Sequence, residues 1–306
     1  MIDLLITGSD GLVGTALKIL KPKNAIFLNR EDVDLTDFCA TSKIFEKIKP
    51  KRIIHLAAQV GGIGGNLNHS GEFFRNNILI NTNVLESARL AKCEKLVSFM
   101  STCVFPDKAE YPLNEKNLHN GPPHHSNFGY AYAKRMLDVQ SMAYRKEWGC
   151  NYIVGIPTNI YGPNDNFSLT EGHVVPALIH RIYLANKEKK ELEVWGTGSP
   201  LREFVYSEDI AKLALWALDN YDEENPIIFS SEKETSIKEL VLLVADKMQF
   251  SGNIIFDESK PDGQFRKPSD GSKLKKYIPD FEWTNLNDGI EMTVDWFVEK
   301  YNTIRK

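Results

Sequence analysis

Short apolar runs alternate with longer segments of helical apolar spacing along most of this 306-residue chain. The apolar runs predict strands at residues 2–7, 25–28, 51–58, 95–100, 152–156 and 227–230. Helical spacing predicts helices that begin near Thr15 and near His173, and others at residues 71–91, 130–148, 236–248 and 287–301. Strands that alternate with helices in this way favour an α/β fold built on a doubly wound parallel sheet.

The pattern breaks in several segments. Residues 61–66 contain four glycines in five positions, so we expect a loop that either passes close to a ligand or is a flexible surface segment. Residues 106–129 are rich in Pro, Asn and His, which predicts a long irregular loop beside a site. Residues 157–163 also interrupt regular structure, and we expect a second lobe to begin there.

Composition and charge narrow the class of protein. Charged residues make up 25% of the chain and hydrophobic residues 42%, which is ordinary for a globular protein. No apolar run approaches the roughly 18 residues of a membrane span, and the first residues predict a strand rather than a signal peptide. The net charge of −4, without a basic block, argues against a nucleic-acid partner. The four cysteines lack C-x-x-C spacing, so a reducing, cytoplasmic location is expected.

A glycine-rich turn follows the first predicted strand and precedes the first predicted helix. Gly8, Gly11 and Gly14 permit a tight turn and the close approach of a pyrophosphate, whose charge is favoured by free amides at a helix N-terminus. The turn therefore predicts dinucleotide binding. Asp10 lies inside it, where its charge would oppose a phosphate, so we expect its side chain to point away.

Arg30 follows the second predicted strand, at the position from which a dinucleotide fold contacts the adenosine ribose. An acidic residue there favours NAD, whereas the planar cation of Arg30 suits a 2′-phosphate, so NADP is favoured. The alternative is that Arg30 is a solvated loop charge. Asp34 and Leu35 are expected to border the adenine.

Tyr130 and Lys134 are one helical turn apart, and Ser101 follows the fourth predicted strand. Side chains at i and i+4 lie about 5–6 Å apart at Cβ, so the Lys134 ammonium can lie near the Tyr130 phenol. A cation about 4 Å away would contribute roughly 4 kcal/mol and lower the pKa of Tyr130 by about 3. Together with Ser101 this pair predicts a nicotinamide-dependent carbonyl reductase. The alternative is a chance spacing on an amphipathic helix.

Cys103 and His173 are two further candidates for chemistry. Cys103 either faces the same pocket as Ser101, where a cation could favour its thiolate, or is a buried inert thiol. His173 lies in the first turn of a predicted helix, whose N-terminus would lower its pKa and suit it as an acid or base. The spacing of His119, His124 and His125 does not require a metal, and we expect none.

Trp195 and Arg202 offer an aromatic face and a cation in one short segment. A planar base and a phosphate would suit them. The alternative is a hairpin turn around a core tryptophan.

The glycine turn, Ser101, Tyr130 and Lys134 together resemble the motif set of the extended short-chain dehydrogenase/reductase family. Longer strings are similar to one branch of that family, the GDP-L-fucose synthases, nearly from end to end. These strings are His55-Leu-Ala-Ala-Gln-Val-Gly-Gly-Ile, Ser101-Thr-Cys-Val-Phe-Pro-Asp-Lys, His119-Asn-Gly-Pro-Pro-His, Ser126-Asn-Phe-Gly-Tyr-Ala-Tyr-Ala-Lys-Arg-Met, Gly172-His-Val-Val-Pro-Ala-Leu-Ile-His, Trp195-Gly-Thr-Gly and Pro261-Asp-Gly-Gln-Phe-Arg-Lys.

The resemblance implies one site that epimerises GDP-4-keto-6-deoxy-D-mannose at C3 and C5 and then reduces its C4 ketone with NADPH. It implies that Cys103 and His173 are the epimerisation acid and base. Ser101 and Tyr130 would hydrogen-bond the C4 oxygen, with Tyr130 as proton donor, and Lys134 would hold the nicotinamide ribose. The implied substrate-binding residues are Arg181, Trp195, Arg202, Asp262 and Lys267. A homodimer is implied by the resemblance alone.

The expected cofactor site and domain division follow from these assignments. The expected cofactor-binding residues are Gly8, Ser9, Gly11, Leu12, Val13, Gly14, Arg30, Asp34, Leu35, Leu56, Ala57, Ala58, Tyr130, Lys134, Pro157, Asn159, Ile160 and His173. Residues 1–160, rejoined by about 207–233, are expected to form the NADP-binding Rossmann domain. Residues 161–206 and 234–306 are expected to form a smaller, mixed α/β substrate-binding lobe.

Two other functions remain open from the sequence. One is an NADPH-dependent 4-reductase of a related GDP-4-keto sugar, without epimerase activity. The other is a non-catalytic module that binds a dinucleotide and signals redox state. Cys103 and His173 argue against the first alternative, and the intact set of Ser101, Tyr130 and Lys134 argues against the second.

Overall fold

The computed structural model describes residues 2–260, 262 and 264–306. Its strands are β1 Leu4–Thr7, β2 Ala25–Leu28, β3 Arg52–His55, β4 Lys95–Phe99, β5 Tyr152–Pro157, β6 Asn159–Tyr161, β7 Leu192–Trp195, β8 Leu201–Tyr206, β9 Ile227–Phe229, β10 Glu234–Ser236 and β11 Ile254–Asp257. Its helices are α1 Leu12–Leu20, α2 Phe38–Ile48, α3 Ile63–Asn68, α4 Ser70–Leu90, α5 Phe128–Trp148, α6 Val174–Glu188, α7 Ser207–Asn220, α8 Ile237–Lys247, α9 Ser272–Tyr277 and α10 Leu286–Lys300.

Six parallel strands form the main sheet, in the order β2-β1-β3-β4-β5-β9. Successive residues of β1 face opposite cores: Leu4 and Ile6 belong to the core that contains α1 and α7, and Leu5 to the core that contains α2, α4 and α5. Helices therefore cover both faces, and the predicted doubly wound α/β fold is confirmed. The run at 227–230 joins this sheet through β9, which pairs with β5.

The remaining strands form two smaller sheets. One has the order β10-β8-β6, and in the other β11 pairs with β7 in parallel. Helices α6, α8 and α10 pack against these strands around a third core that includes Ile179, Val244 and Phe297. The structure thus contains a second, mixed α/β region beside the main sheet.

Strand β6 corrects one prediction about residues 157–163, which we expected to lack regular structure. Asn159 pairs with Phe204 of β8, so the strand depends on a partner far away in the chain. Local sequence does not encode that contact. The hairpin alternative for residues 195–202 is also wrong, because β7 and β8 belong to different sheets and Trp195 is 65% exposed.

Helix α3 corrects a second prediction, because part of the glycine-rich segment 61–66 is helical. Gly62 is the N-cap residue, and its N–H donates to the Glu171 carbonyl at 2.7 Å. The Asn66 side chain donates to the Gly61 and Gly62 carbonyls at 2.8 and 3.2 Å. These bonds stabilise a helix that glycine propensity alone disfavours. The segment still lines the central cavity, as a loop close to a ligand would.

Two other features bear on the organisation of the chain. Helix α9 contacts β9, and its Leu274 is buried in the core on one face of the main sheet.

The segment 106–129 is largely irregular, with short 3₁₀ turns at Glu115–Asn117 and at His125–Asn127. Within the described ranges, no helix has both the length and the apolar character needed to cross a bilayer.

Candidate active site

One large cavity, of about 2380 Å³, lies at the carboxyl ends of β1, β3, β4 and β5 and extends to α6, β7 and β8. The strand ends meet there because all strands of a parallel sheet point the same way. Of the residues predicted for catalysis, cofactor binding or substrate binding, all except Ser9 line this cavity. Residues from distant parts of the sequence are thus brought to one site.

The glycine turn has the geometry of a phosphate cradle. Gly8 has φ +73°, and a Cβ there would lie 2.6 Å from the Ala57 nitrogen. Gly11 is the N-cap of α1 and provides no side-chain cap, so the first amides of the helix are free to bind an anion. Ser9 differs from its prediction: it is 1% exposed, and its N–H donates to the Leu28 carbonyl at 3.1 Å, so its side chain is buried beside the turn.

Arg30 lines the cavity beyond the end of β2, together with Asp34 and Leu35. The Asp34 carboxylate accepts hydrogen bonds from the Thr36 hydroxyl and N–H at 2.7 and 2.9 Å, and these bonds lower the pKa of Asp34. Arg30 therefore lies beside an ordered turn that contains an ionised carboxylate.

Ser101, Tyr130 and Lys134 converge as predicted from their spacing. Ser101 lies two residues beyond the end of β4. The two others lie on the buried face of α5, where Tyr130 is 8% exposed and Lys134 4% exposed. The Lys134 ammonium donates to the Phe99 carbonyl at 2.9 Å. The three side chains therefore border one part of the cavity.

The predicted pKa of Tyr130 is wrong in direction. Burial raises the pKa of Tyr130 well above its usual value, and the negative charge that Cys103 would carry as a thiolate would raise it further. Burial also lowers the pKa of Lys134 to about 8. The prediction from spacing counted the attraction between the two groups and omitted the cost of burying a phenolate. Tyr130 thus stays protonated at neutral pH.

Cys103 lies in the 3₁₀ turn Thr102–Val104 and lines the cavity. Its position agrees with the prediction that Cys103 faces the same pocket as Ser101. Burial raises the pKa of Cys103, and the positive charge of Lys267 is the largest opposing influence. The thiol is accordingly the favoured form, contrary to the expected thiolate.

His173 is the N-cap residue of α6, where it is exposed to the cavity. The loop before it is held at Phe167, whose carbonyl hydrogen-bonds Nδ1 of the buried His180 at 2.7 Å and whose N–H donates to the Arg305 carbonyl at 3.0 Å. Helix α6 and the last residues of the described chain thus position the loop that presents His173.

Two buried polar residues of the cavity were not identified from the sequence. Asn66 and Asp165 are each more than nine-tenths buried, and within the described ranges Asn66 Oδ1 and Asp165 Oδ2 have no hydrogen-bond partner. Burial raises the pKa of Asp165 to about 6, and the nearby His173 opposes that rise. In the sequence, the only indication of these two residues is that each lies a few positions from one of the quoted strings, Asn66 after the string with His55 and Asp165 before the string with His173.

The far end of the cavity combines an aromatic face with cations. Trp195 ends β7 with its ring exposed, while Arg181 on α6 and Arg202 on β8 line the same wall. Burial lowers the pKa of Lys267, which lies on the segment before Ser269. These groups suit a planar base and a phosphate.

Asp262 lines the cavity, but its carboxylate has partners within the protein. It accepts hydrogen bonds from the Thr197 N–H at 2.9 Å and the Thr197 hydroxyl at 2.7 Å. It therefore closes the turn that follows Trp195. Pro261 and Gly263, which flank it in the recognised string, lie outside the described residues.

The three histidines of the irregular loop have other contacts. His119 Nε2 lies 2.8 Å from Oδ2 of the buried Asp138, and the rings of His124 and His125 contact each other, tilted by 38° with centroids 4.2 Å apart. Across the described part of the chain, no group of three or more His, Cys, Asp or Glu residues is arranged to hold a metal ion.

Comparisons with known proteins agree with this geometry. The model of the NAD dependent epimerase/dehydratase family matches residues 4–230. A Dictyostelium discoideum protein named GDP-L-fucose synthase is 48% identical, over 99% of this chain and 97% of that protein. A Drosophila melanogaster protein named Probable GDP-L-fucose synthase is 44% identical, over 100% of both chains. A crystal structure of a GDP-L-fucose synthetase from Naegleria fowleri bound to NADP has a TM-score of 0.95 at 42% identity, covering 99% of this chain and 94% of that chain.

Proposed function

The chain belongs to the NAD dependent epimerase/dehydratase family, and from this premise we propose that it converts GDP-4-keto-6-deoxy-D-mannose to GDP-L-fucose. It epimerises the sugar at C3 and C5 and then reduces the C4 ketone. The protein is thus an NADP-dependent oxidoreductase and epimerase. The observation that supports both half-reactions is that Cys103 and His173 line the same cavity as Ser101, Tyr130 and Lys134.

The glycine turn and the free amides of α1 would hold the pyrophosphate of NADP(H), with Arg30 beside the 2′-phosphate. NADPH, when bound, supplies the hydride for the reduction. Lys134 is buried, with its ammonium bonded to the carbonyl of Phe99 at the end of β4, and it would hold the nicotinamide ribose. Gly8, Gly11 and Gly14 support this fit, because all three line the cavity and have no side chain to separate their backbone from a ligand.

For the reduction, Tyr130 is the proton donor to the C4 oxygen and Ser101 a hydrogen-bond donor to the same atom. The raised pKa of Tyr130 supports this role, because a donor must hold its proton until negative charge develops on the oxygen. Lys134, one helical turn away on α5, would stabilise the phenolate that remains after transfer.

For the epimerisation, Cys103 and His173 exchange protons with the sugar at carbons next to the ketone. Such protons become removable when the enolate oxygen is stabilised, and inversion needs an acid and a base on opposite faces. The raised pKa of Cys103 favours the thiol as the acid, and the exposed ring of His173 is available as the base.

The nucleotide end of the substrate would lie along the wall that contains Arg181, Trp195, Arg202 and Lys267. Trp195 would stack on the guanine, and the cations would bind the diphosphate. Asp262 acts indirectly in this proposal, because its carboxylate bonds to Thr197 and so shapes the turn after Trp195.

We also propose the organisation expected from the sequence: a cofactor domain at 1–160 with 207–233, a substrate lobe at 161–206 and 234–306, of which α9 packs against the cofactor domain, and a cytoplasmic homodimer. Exposed apolar side chains on α4 and α5 support a dimer through these helices; they include Phe74, Phe128 and Val139, which are 43%, 55% and 43% exposed. The unpaired cysteines support a reducing compartment.

The function is tested by incubating the protein with GDP-4-keto-6-deoxy-D-mannose and NADPH in deuterated water and following the sugar by NMR. The expected product is GDP-L-fucose with deuterium at C3 and C5. Reduction without epimerisation would favour the alternative 4-reductase, and absence of any turnover would contradict both.

Variants separate the two half-reactions. Tyr130→Phe should still incorporate deuterium at C3 and C5 while reducing at least 100-fold more slowly, in line with the roughly 10²–10⁴-fold contribution of a general acid. The Cys103→Ser/His173→Asn double variant should lose the deuterium. Full incorporation in that double variant would exclude both residues as the acid and base.

A further inference from the structure

The adenosine-ribose end of the cofactor site contains a carboxylate as well as a cation. β1 pairs with β2 so that Thr7 lies opposite Leu28, and the Ser9 N–H continues this pairing to the Leu28 carbonyl at 3.1 Å. Asp10 is therefore placed alongside Asn29, whose side chain hydrogen-bonds its carboxylate, and Arg30 is the next residue of that loop. Asp10 and Arg30 both line the cavity there.

Asp10 is not simply turned away, as its position in the turn led us to expect. Its carboxylate pairs with the Lys18 ammonium at 2.6 Å, yet the side chain is 59% exposed. Asp10 lines the cavity and Lys18 does not. The ion pair thus presents its negative end to the cofactor site.

The carboxylate is ionised across the physiological pH range. The hydrogen bond from Lys18 lowers the pKa of Asp10, and Asn29 and Ser9 lower it further. An ionised carboxylate repels a 2′-phosphate and accepts a hydrogen bond from a 2′-hydroxyl, as an acidic residue does in NAD-binding folds. Arg30 acts in the opposite sense, because its guanidinium attracts the phosphate.

We propose that Asp10 is a specificity-determining residue that opposes Arg30 at the ribose, so that this chain discriminates only weakly between NADPH and NADH. The inference rests on the proposed cofactor site. It adds to that site the prediction that NADH is also bound and used.

The test measures nucleotide binding directly, by isothermal titration calorimetry with 2′,5′-ADP and 5′-ADP and then with NADPH and NADH. In the native protein each pair should differ in Kd by less than about tenfold, because repulsion of the 2′-phosphate by the Asp10 carboxylate offsets part of its attraction to Arg30. Asp10→Ser should lower the Kd for 2′,5′-ADP and for NADPH by about 3- to 10-fold. The Kd values for 5′-ADP and NADH should stay almost unchanged. This increase in affinity should be smaller at high salt concentration.

Two controls make the result specific. Glu31→Gln removes an exposed charge from the same loop, and Glu31 does not line the cavity, so its effect should be small. The Asp10→Ser/Lys18→Met double variant should show the same increase in affinity for 2′,5′-ADP and NADPH as the single variant. If the double variant shows no increase, Lys18 itself binds the phosphate in the single variant once Asp10 is removed. The proposal would then be wrong.

Two further outcomes would also overturn it: a native preference for 2′,5′-ADP of more than about 100-fold, or an Asp10→Ser variant with an unchanged preference. These results are independent of the sugar. A protein that binds the nucleotides as expected but does not turn over the keto sugar would contradict the proposed function alone.

Discussion

His55, the last residue of β3, is fully buried between β1 and α4. Asn81 donates to the Ala133 carbonyl through Nδ2 at 3.3 Å, so its Oδ1 accepts from His55 Nε2 at 3.1 Å. His55 Nδ1 then accepts from the Thr7 hydroxyl at 2.8 Å. Burial and the positive charge of Lys134 lower the pKa of His55 to about 3. This neutral imidazole connects the end of β1 to the helix that contains Lys134.

We predict that acid destabilises the fold through His55. Its pKa is below the unfolded value of about 6.5, so the unfolded chain binds the extra proton between these values and the free energy of unfolding falls as pH falls. From pH 7 to pH 5 the loss is roughly 2 kcal/mol. The stability difference between the native protein and His55→Asn, measured by urea unfolding, should therefore shrink by that amount. A difference that stays constant would contradict the prediction.

At the scale of elements, α3 and the loop before α6 form one unit that presents His173. The Gly62 N–H bonds to the Glu171 carbonyl, and a Cβ at residue 62 would lie 2.8 Å from the Gly172 carbonyl oxygen. Only glycine permits this close approach of two backbones. The position of His173 in the cavity thus depends on a contact with a segment that precedes it by more than a hundred residues.

Gly62→Ala should displace the loop and slow epimerisation by about 10- to 100-fold, since a shift near 1 Å is enough to misalign a catalytic group. NADPH affinity should change little. The matched control is Gly71→Ala, because a Cβ at Gly71, in the first turn of α4, has no neighbour within 4 Å. Deuterium incorporation at C3 and C5 measures the effect, and equal rates in the two variants would exclude the proposed coupling.

At the scale of the whole molecule, Glu203 joins the two sheet regions. This residue of β8 is 2% exposed. Its carboxylate accepts from the Ser230 hydroxyl at 2.9 Å, just after β9 of the main sheet, and from the Ser269 N–H at 2.8 Å. Ser269 closely follows Lys267. One buried side chain therefore connects the main sheet, the small sheet and the segment that contains a proposed substrate-binding lysine.

Glu203→Ala should lower the free energy of unfolding by about 2–4 kcal/mol, because it leaves two buried donors unpaired. It should also raise KM for the sugar more than the Kd for NADPH, through displacement of Lys267. Glu203→Gln keeps one acceptor and should have a smaller effect on both quantities. Chemical denaturation and steady-state kinetics provide the measurements. A variant with lower stability but unchanged KM would contradict the link to Lys267.

Much of the fold and of the candidate site was predictable from local sequence. β2 has the predicted bounds, β9 joins the main sheet as expected, and the predicted resemblance is confirmed by the family match and by the full-length relatives. The exceptions share a cause. β6 and α3 need partners from distant segments, and Ser9 is buried because its N–H pairs with β2.

The sequence by itself determined the alternation of strands and helices, the glycine turn and the one-turn spacing of Tyr130 and Lys134, because periodicity and backbone permissiveness are local properties. Only the tertiary structure decided the protonation of Tyr130 and Cys103 and the contacts of Asp10. The reason is physical: pKa values depend on desolvation and on neighbouring charges, and both are set by side chains that folding brings together from distant positions.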